Sequence, residues 1–466
     1  MSQRLWLTER RTLLVGLCAW LLAYLTFRVI QHLTFGTHAW DLSIFDYGLA
    51  NTLRGRFFYI PWLPHSYFGE HFAPILLFIL PFYFLHDGPL TLVVLQVLVV
   101  GAAAIPLFAY ARSELRTRWA PVAIAFAYLL CRPLSRGLMF DFHMEMMEPL
   151  FLFTAFAGLS RRRWSLYWTG IVLAFMTKED VPIYLFVFGL WMAVVLKEKR
   201  VGLATAGLSF LWAVLALQVV MPAFSHAKEL SGIHYMGRWG QWGETPVEAL
   251  VGVLTDPGGV FEKVWTYRKA RSLFNLFGPF LFLPLLAPST LLLVVLPIGV
   301  NLLSTIDVQS RIGMYYATPV LPYLFLGTVR VLRKLELRRG PGRGVLALAA
   351  LVFLVGVANS SFWDLVRPRR LSITQVHRAG WAIAASIPPD ASVSAMNHVF
   401  PHVQRRDWIY VFPDIRDAEY ILLDTRGNPP QPDKKKLADL RSDPAFELLR
   451  EERGFLLLKW RGGGVI

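Results

Sequence analysis

FMTKEDVPIYLFV (Phe175–Val187) sets Lys178, Glu179 and Asp180 inside more than thirty mostly apolar residues. At the centre of a bilayer each such charge costs roughly 2.5–3.5 kcal/mol. The triplet therefore reads as the turn between two membrane helices, near 165–177 and 181–196. Charges kept at such a turn are candidates for chemistry, although Lys178 can also be neutralised by its own neighbours.

The rest of the chain supports that reading. Of 466 residues, 55% are hydrophobic and 17% charged, far more apolar than a soluble domain. Apolar runs of membrane-helix length recur from about residue 12 to 360. The class is an all-α polytopic membrane protein. Arg10 and Arg11 precede the first run and no small-residue cleavage site follows it, so it reads as an uncleaved span. The formal charge of +15 lies mostly in short clusters between apolar runs, which encodes orientation and does not point to nucleic acid. Cys18 and Cys131, both in or beside apolar runs, suggest neither a disulfide framework nor a thiolate metal site.

Five basic clusters fix the orientation: Arg4/Arg10/Arg11, Arg112/Arg116/Arg118, Arg161–Arg163, Lys197/Lys199/Arg200 and Arg330 through Arg343. All five fall in the cytoplasm if the run at 72–85, short and broken by Pro74 and Pro81, is re-entrant. Spans are then expected near 12–34, 89–110, 119–134, 147–160, 165–177, 181–196, 202–222, 273–287, 289–306, 315–333 and 343–360, eleven in all. The predicted organisation is a transmembrane domain over 1–360, with outside loops 35–88, 135–146 and 223–271, followed by a soluble extracytoplasmic domain over 361–466.

The unusual polar residues collect on the outside face of this map. In HAWDLSIFDYGL, Leu42, Phe45, Leu49 and Leu53 form a stripe suited to a helix lying along the membrane. Asp41 is either its N-cap or a carboxylate that binds a cation or accepts a proton, with Asp46 close behind. His71 in GEHFAPILLF is a structural donor, a phosphate partner or a metal ligand. In DFHMEMMEP, Asp141, His143 and Glu145 alternate, a donor set compatible with Mg²⁺ or Mn²⁺, or a hydrated span end that also includes Glu148. Lys178 is a point charge suited to phosphate. Tyr235, Trp239 and Trp242 of HYMGRWGQWGETP read as interfacial anchors before a sugar platform. A Walker phosphate loop, a Rossmann glycine fingerprint, HExxH and GxSxG are all missing.

DLSIFDYGL, GEHFAPILL, DFHMEMMEP and TKEDVP, in this order and spacing, resemble an uncharacterised family of predicted prokaryotic membrane proteins, domain of unknown function 2079. More widely, the layout is similar to the GT-C superfold of glycosyltransferases that use polyprenyl-phosphate-linked sugars. That resemblance implies an acidic residue after the first span (Asp41, then Asp46) and a second in the next outside loop (Glu145 or Asp141). It also implies a basic residue before a proline run, here His71, an LTKGP-like turn at Lys178, and an R..Y..P stretch at Arg311, Tyr315 and Tyr316. The chain departs from the pattern in lacking a strict Asp-Glu pair, since Leu42 follows Asp41, and a WWDYG-like motif.

The expected activity is transfer of a sugar from polyprenyl phosphate to an extracytoplasmic acceptor, with inversion, in a multi-pass inner membrane protein. Asp41 or Asp46 is the expected base. The donor would be bound by His71, Lys178, Glu179, Asp180, Arg311, Tyr315 and Tyr316, with its phosphate near Lys178 and His71, and any metal would meet Asp141, His143 and Glu145. The alternative is a non-catalytic transporter or lipid-handling protein, for which mid-span charges or repeated halves would be expected.

After Trp363 the chain turns polar. HRAGWAIAASIPPDASVSAM suggests a helix and a strand, WIYVF and AEYILLD two more strands, PDKKKLADLRSDPAFELLREE one or two helices, and GFLLLKW a last strand.

Overall fold

The computed structural model describes residues 2–63, 65–225, 237–365, 367, 371–403, 405–426 and 431–462. Among the described residues, four helices are long and apolar enough to cross a membrane: Leu7–Leu33, Pro89–Glu114, Lys199–Phe224 and Arg343–Asp364. Shorter apolar helices lie at Ala120–Leu130, Trp164–Phe175, Val181–Leu196 and Pro288–Leu302. The expected span at 273–287 is not one helix. Tyr267–Phe277 ends before Pro279, and Leu281 and Phe282 both take positive φ ahead of Pro284. The run at 72–85 forms two short helical pieces, Pro74–Phe78 and Leu80–Tyr83.

By contacts the chain forms two compact units. The first comprises Met1–Tyr24, Phe68–Phe78 and Leu95–Leu365; the second comprises Leu25–Tyr67, Ile79–Val94 and Val366–Ile466. In the first, small residues let helices approach closely, as expected where lipid supplies no hydrophobic drive between helices. A Cβ at Gly202 would fall 2.6 Å from both the Ala193 amide and the Gly189 carbonyl, and one at Gly189 would meet Gly202 and Ala206 as tightly.

The second unit holds a five-stranded sheet in the order β2-β1-β3-β5-β4, with β1 Val393–Ala395, β2 Ile409–Val411, β3 Tyr420–Asp424, β4 Phe446–Glu452 and β5 Phe455–Trp460. β2, β1 and β3 are parallel, while β5 runs antiparallel to β3 and β4. Helices Gln375–Ala385 and Gln431–Ser442 accompany it. The second half of the predicted helical stretch is instead β4: the helix ends before Pro444, and Arg453-Gly454, both at positive φ, turn β4 into β5. The core of this unit includes Phe35, Ala39 and Tyr47 together with sheet residues such as Val393, Ile421 and Leu457.

Candidate functional site

In the first unit the KED turn joins helices Trp164–Phe175 and Val181–Trp191, as the opening stretch predicts. The Met176 carbonyl accepts the Ile75 amide at 2.8 Å, tying the turn to the proline run after His71. Lys178 Nζ donates to Glu145 Oε1 at 2.8 Å, with side chains only 15% and 6% exposed. His71 Nδ1 lies 2.7 Å from Glu179 Oε1, and Glu179 Oε2 accepts the Phe72 amide at 3.1 Å. Tyr184, one helical turn beyond Asp180, donates its hydroxyl to Asp180 Oδ2 at 3.3 Å.

Burial opposes every charge here, and the partners decide the outcome. Burial alone would push Glu145 up, but Lys178 and His143 hold its carboxyl at about 2. Burial works against the Lys178 ammonium too, yet Glu145, Asp180 and Glu179 raise it well above its ordinary value. Burial pushes Glu179 up as well, but His71 and Lys178, with a backbone hydrogen bond, together hold it below its ordinary value. Asp180, where burial prevails over Lys178 and the carboxylates of Glu179 and Glu145 add to it, is pushed up. The result is a buried, charge-compensated cluster with one ammonium at its centre.

The proposed metal set does not assemble. Among the described residues, no group of three or more His, Cys, Asp or Glu is arranged to hold a metal ion. Glu145 is committed to Lys178, and the His143 ring stacks on Tyr315 with centroids 3.5 Å apart. Gln96, which sequence reasoning missed, holds the segment by accepting the His143 amide at 2.7 Å and donating to the Asp141 carbonyl at 3.4 Å. Tyr315 also donates to the Tyr316 hydroxyl at 3.1 Å. Arg311 is half-exposed and pairs with Asp307 one turn earlier, so its charge has a local partner. Trp239 and Trp242 donate their ring N–H groups to Val300 and Leu303 carbonyls, at the end of helix Pro288–Leu302. They thereby satisfy carbonyls that a helix end leaves open. Tyr235 lies outside the described residues.

In the second unit Asp41 sits in the turn Ala39–Ser43 and is not the N-cap of helix Ile44–Leu53; that position is Ser43, which makes no side-chain cap. The stripe expected on the membrane is largely packed inside the protein: Leu42, Phe45 and Leu49 are buried. Asp46 is buried as well. Arg405 clamps it, Nε to Oδ2 at 2.7 Å and Nη2 to Oδ1 at 3.0 Å, and Tyr83 donates to Oδ1 at 3.0 Å. Three side-chain donor bonds thus hold the Asp46 carboxylate, while Asp41 is half-buried. Arg405 gave no signal in the sequence, because it comes from the far end of the chain.

Comparison with known proteins adds the following. The model of a predicted membrane protein family, DUF2079, matches residues 31–457. No curated protein matches the chain. Among solved structures, ArnT from Cupriavidus metallidurans bound to undecaprenyl phosphate aligns with a TM-score of 0.55 at 13% identity, over 96% of this chain and 97% of that one. The arabinofuranosyltransferase AftD from Mycobacteria aligns with a TM-score of 0.50 at 12% identity, over 97% of this chain and 40% of that one. The likeness is one of fold, and the fold is GT-C-like.

Proposed function

The chain belongs to the DUF2079 family of predicted membrane proteins, and on that premise we propose that it is a GT-C-type glycosyltransferase using a polyprenyl-phosphate sugar. The observation that carries this reading is the buried cluster around Lys178, which concentrates one ammonium and a histidine among carboxylates at a turn between membrane helices. These charges collect at a turn between helices and not in mid-span, where a transporter would be expected to keep them.

In this proposal the N-terminus lies in the cytoplasm, and the Asp41 loop, the KED turn and the C-terminal domain lie outside. The donor phosphate meets Lys178 and His71, whose present partners Glu145 and Glu179 hold them in position. Asp41 takes the proton of an acceptor hydroxyl as that oxygen attacks the anomeric carbon. The bond from that carbon to the phosphate oxygen breaks, polyprenyl phosphate leaves with the electron pair, and configuration inverts. The protein supplies alignment of two reactants and preorganised charge for the departing phosphate. No step is routed through a metal, because Asp141, His143 and Glu145 do not converge on one.

The test offers radiolabelled polyprenyl-phosphate sugars to the purified protein in nanodiscs and measures release of polyprenyl phosphate. Wild type should turn over a donor, and Asp41→Asn should lose roughly 10²–10⁴ in rate, the worth of a general base. Donor binding without turnover by wild type would favour the lipid-handling alternative.

A further inference from the structure

The C-terminal sheet carries a second message. β1 lies between β2 and β3, so strand order reverses there. In open α/β sheets the crevice at the carboxyl ends of the strands, where the order reverses, is the usual ligand position. Here the segment following β1 grips the chain's own Asp41 loop. Asn397, two residues past β1, accepts the Ala39 amide at 2.9 Å on its carbonyl and again at 2.9 Å on Oδ1, with the Trp40 amide 3.4 Å from Oδ1. These are the first two residues of the turn that holds Asp41.

The grip continues along the loop. Phe400 packs against Tyr47 and Trp62, with centroids 6.1 and 4.8 Å apart. Arg406 donates its amide to the Tyr47 hydroxyl at 3.3 Å, and Arg56 pairs with Asp407 at 2.8 Å. Before the turn, Phe35 and Phe455 come so near Gly380 that a Cβ there would fall 2.7 and 2.6 Å from their rings. The strongest link is Arg405, which spans Asp46 and Asp87. Burial works against its charge, but the two carboxylates hold the guanidinium above its ordinary value.

We propose that the C-terminal domain is the positioning device for the Asp41 loop, with Arg405 and Asn397 as positioning residues and Asp46 as the anchor that Arg405 grips. The inference rests on the transferase reading for what the loop is positioned to do. Its structural content does not need that reading.

The experiment uses the full chain in nanodiscs. Hydrogen exchange is followed over residues 39–53 and over the sheet in wild type, Arg405→Met and Arg405→Lys. Arg416→Met, at an exposed cation of the same domain, is the control. Arg405→Met should speed exchange over 39–53 by about tenfold or more while the sheet stays protected, as for a local opening. Arg405→Lys keeps the charge without the two-pronged geometry and should show the same pattern more weakly. Turnover in Arg405→Met should fall by about a hundredfold in kcat, the scale of a misplaced reacting group, with donor KM unchanged. Unchanged exchange over 39–53 in both variants, or equal loss over loop and sheet, overturns the proposal. Selective loosening in a protein whose wild type turns over no donor would instead sink the transferase reading and leave this inference standing.

Discussion

Lys178 Nζ and Glu145 Oε1 lie 2.8 Å apart, both side chains buried, joining the turn between two apolar helices to the segment before a third. Removing one member strands the other charge. Lys178→Met should therefore destabilise by about 3–5 kcal/mol, and adding Glu145→Gln should recover much of the loss. Thermal unfolding in detergent of the two single variants and the double checks this. Additive losses would show that the pair does not act as a unit.

The same pair sets a pH dependence. Glu145 is held at about 2 in the folded protein against an ordinary value of 4.5. A depressed carboxyl pKa contributes stability that is fully present above the ordinary value and disappears as pH falls through the folded one. Wild-type Tm should thus decline between about pH 5 and 2 more steeply than that of Glu145→Gln. Parallel profiles would refute the assignment.

Glu179 supports two groups, the His71 ring and the Phe72 amide. Glu179→Ala leaves both without this acceptor, whereas His71→Ala leaves the amide bond intact. The first variant should be the less stable by about 1–3 kcal/mol, the cost of a buried donor left unsatisfied. Equal unfolding midpoints would count against the arrangement.

Helix packing in the first unit gives a prediction independent of function. Gly202→Leu drives a side chain into the backbone of the neighbouring helix, while a Cβ at Gly207, five residues on and on another face of the same helix, meets nothing within 4 Å. Gly202→Leu should abolish the folded monodisperse protein, and Gly207→Leu should leave its elution profile unchanged. Size-exclusion chromatography reads both.

What could be read in the sequence follows a physical pattern. Lys178, Glu179 and Asp180 were legible because charges inside an apolar run have few explanations. His71 and Glu145 followed, since both sit where apolar runs begin. Their partners in space were not legible: nothing in one sequence pairs Asp46 with Arg405, 359 residues away, or Gln96 with the His143 amide. Asp141, His143 and Glu145 alternate as metal ligands might be spaced, but spacing does not reveal that Lys178 already occupies Glu145 and Tyr315 covers His143. Phe446–Glu452 reads as helix in the sequence because ELLREE is rich in helix formers. Pairing with β5 overrides that preference, as tertiary context does for β-strands. The broken span at 273–287 had a signal in Pro279 and Pro284, which the count of apolar residues outweighed.

The central claim is that the Lys178 cluster receives a lipid-linked phosphate, and its most direct test is a binding constant. Polyprenyl phosphate is titrated into nanodiscs bearing wild type or the Lys178→Met/Glu145→Gln variant, which removes the ammonium without stranding a buried charge. Wild type should bind, and the variant should bind about tenfold or more weakly, a loss of about 1.4 kcal/mol or more. Equal affinity in the two proteins would contradict the account.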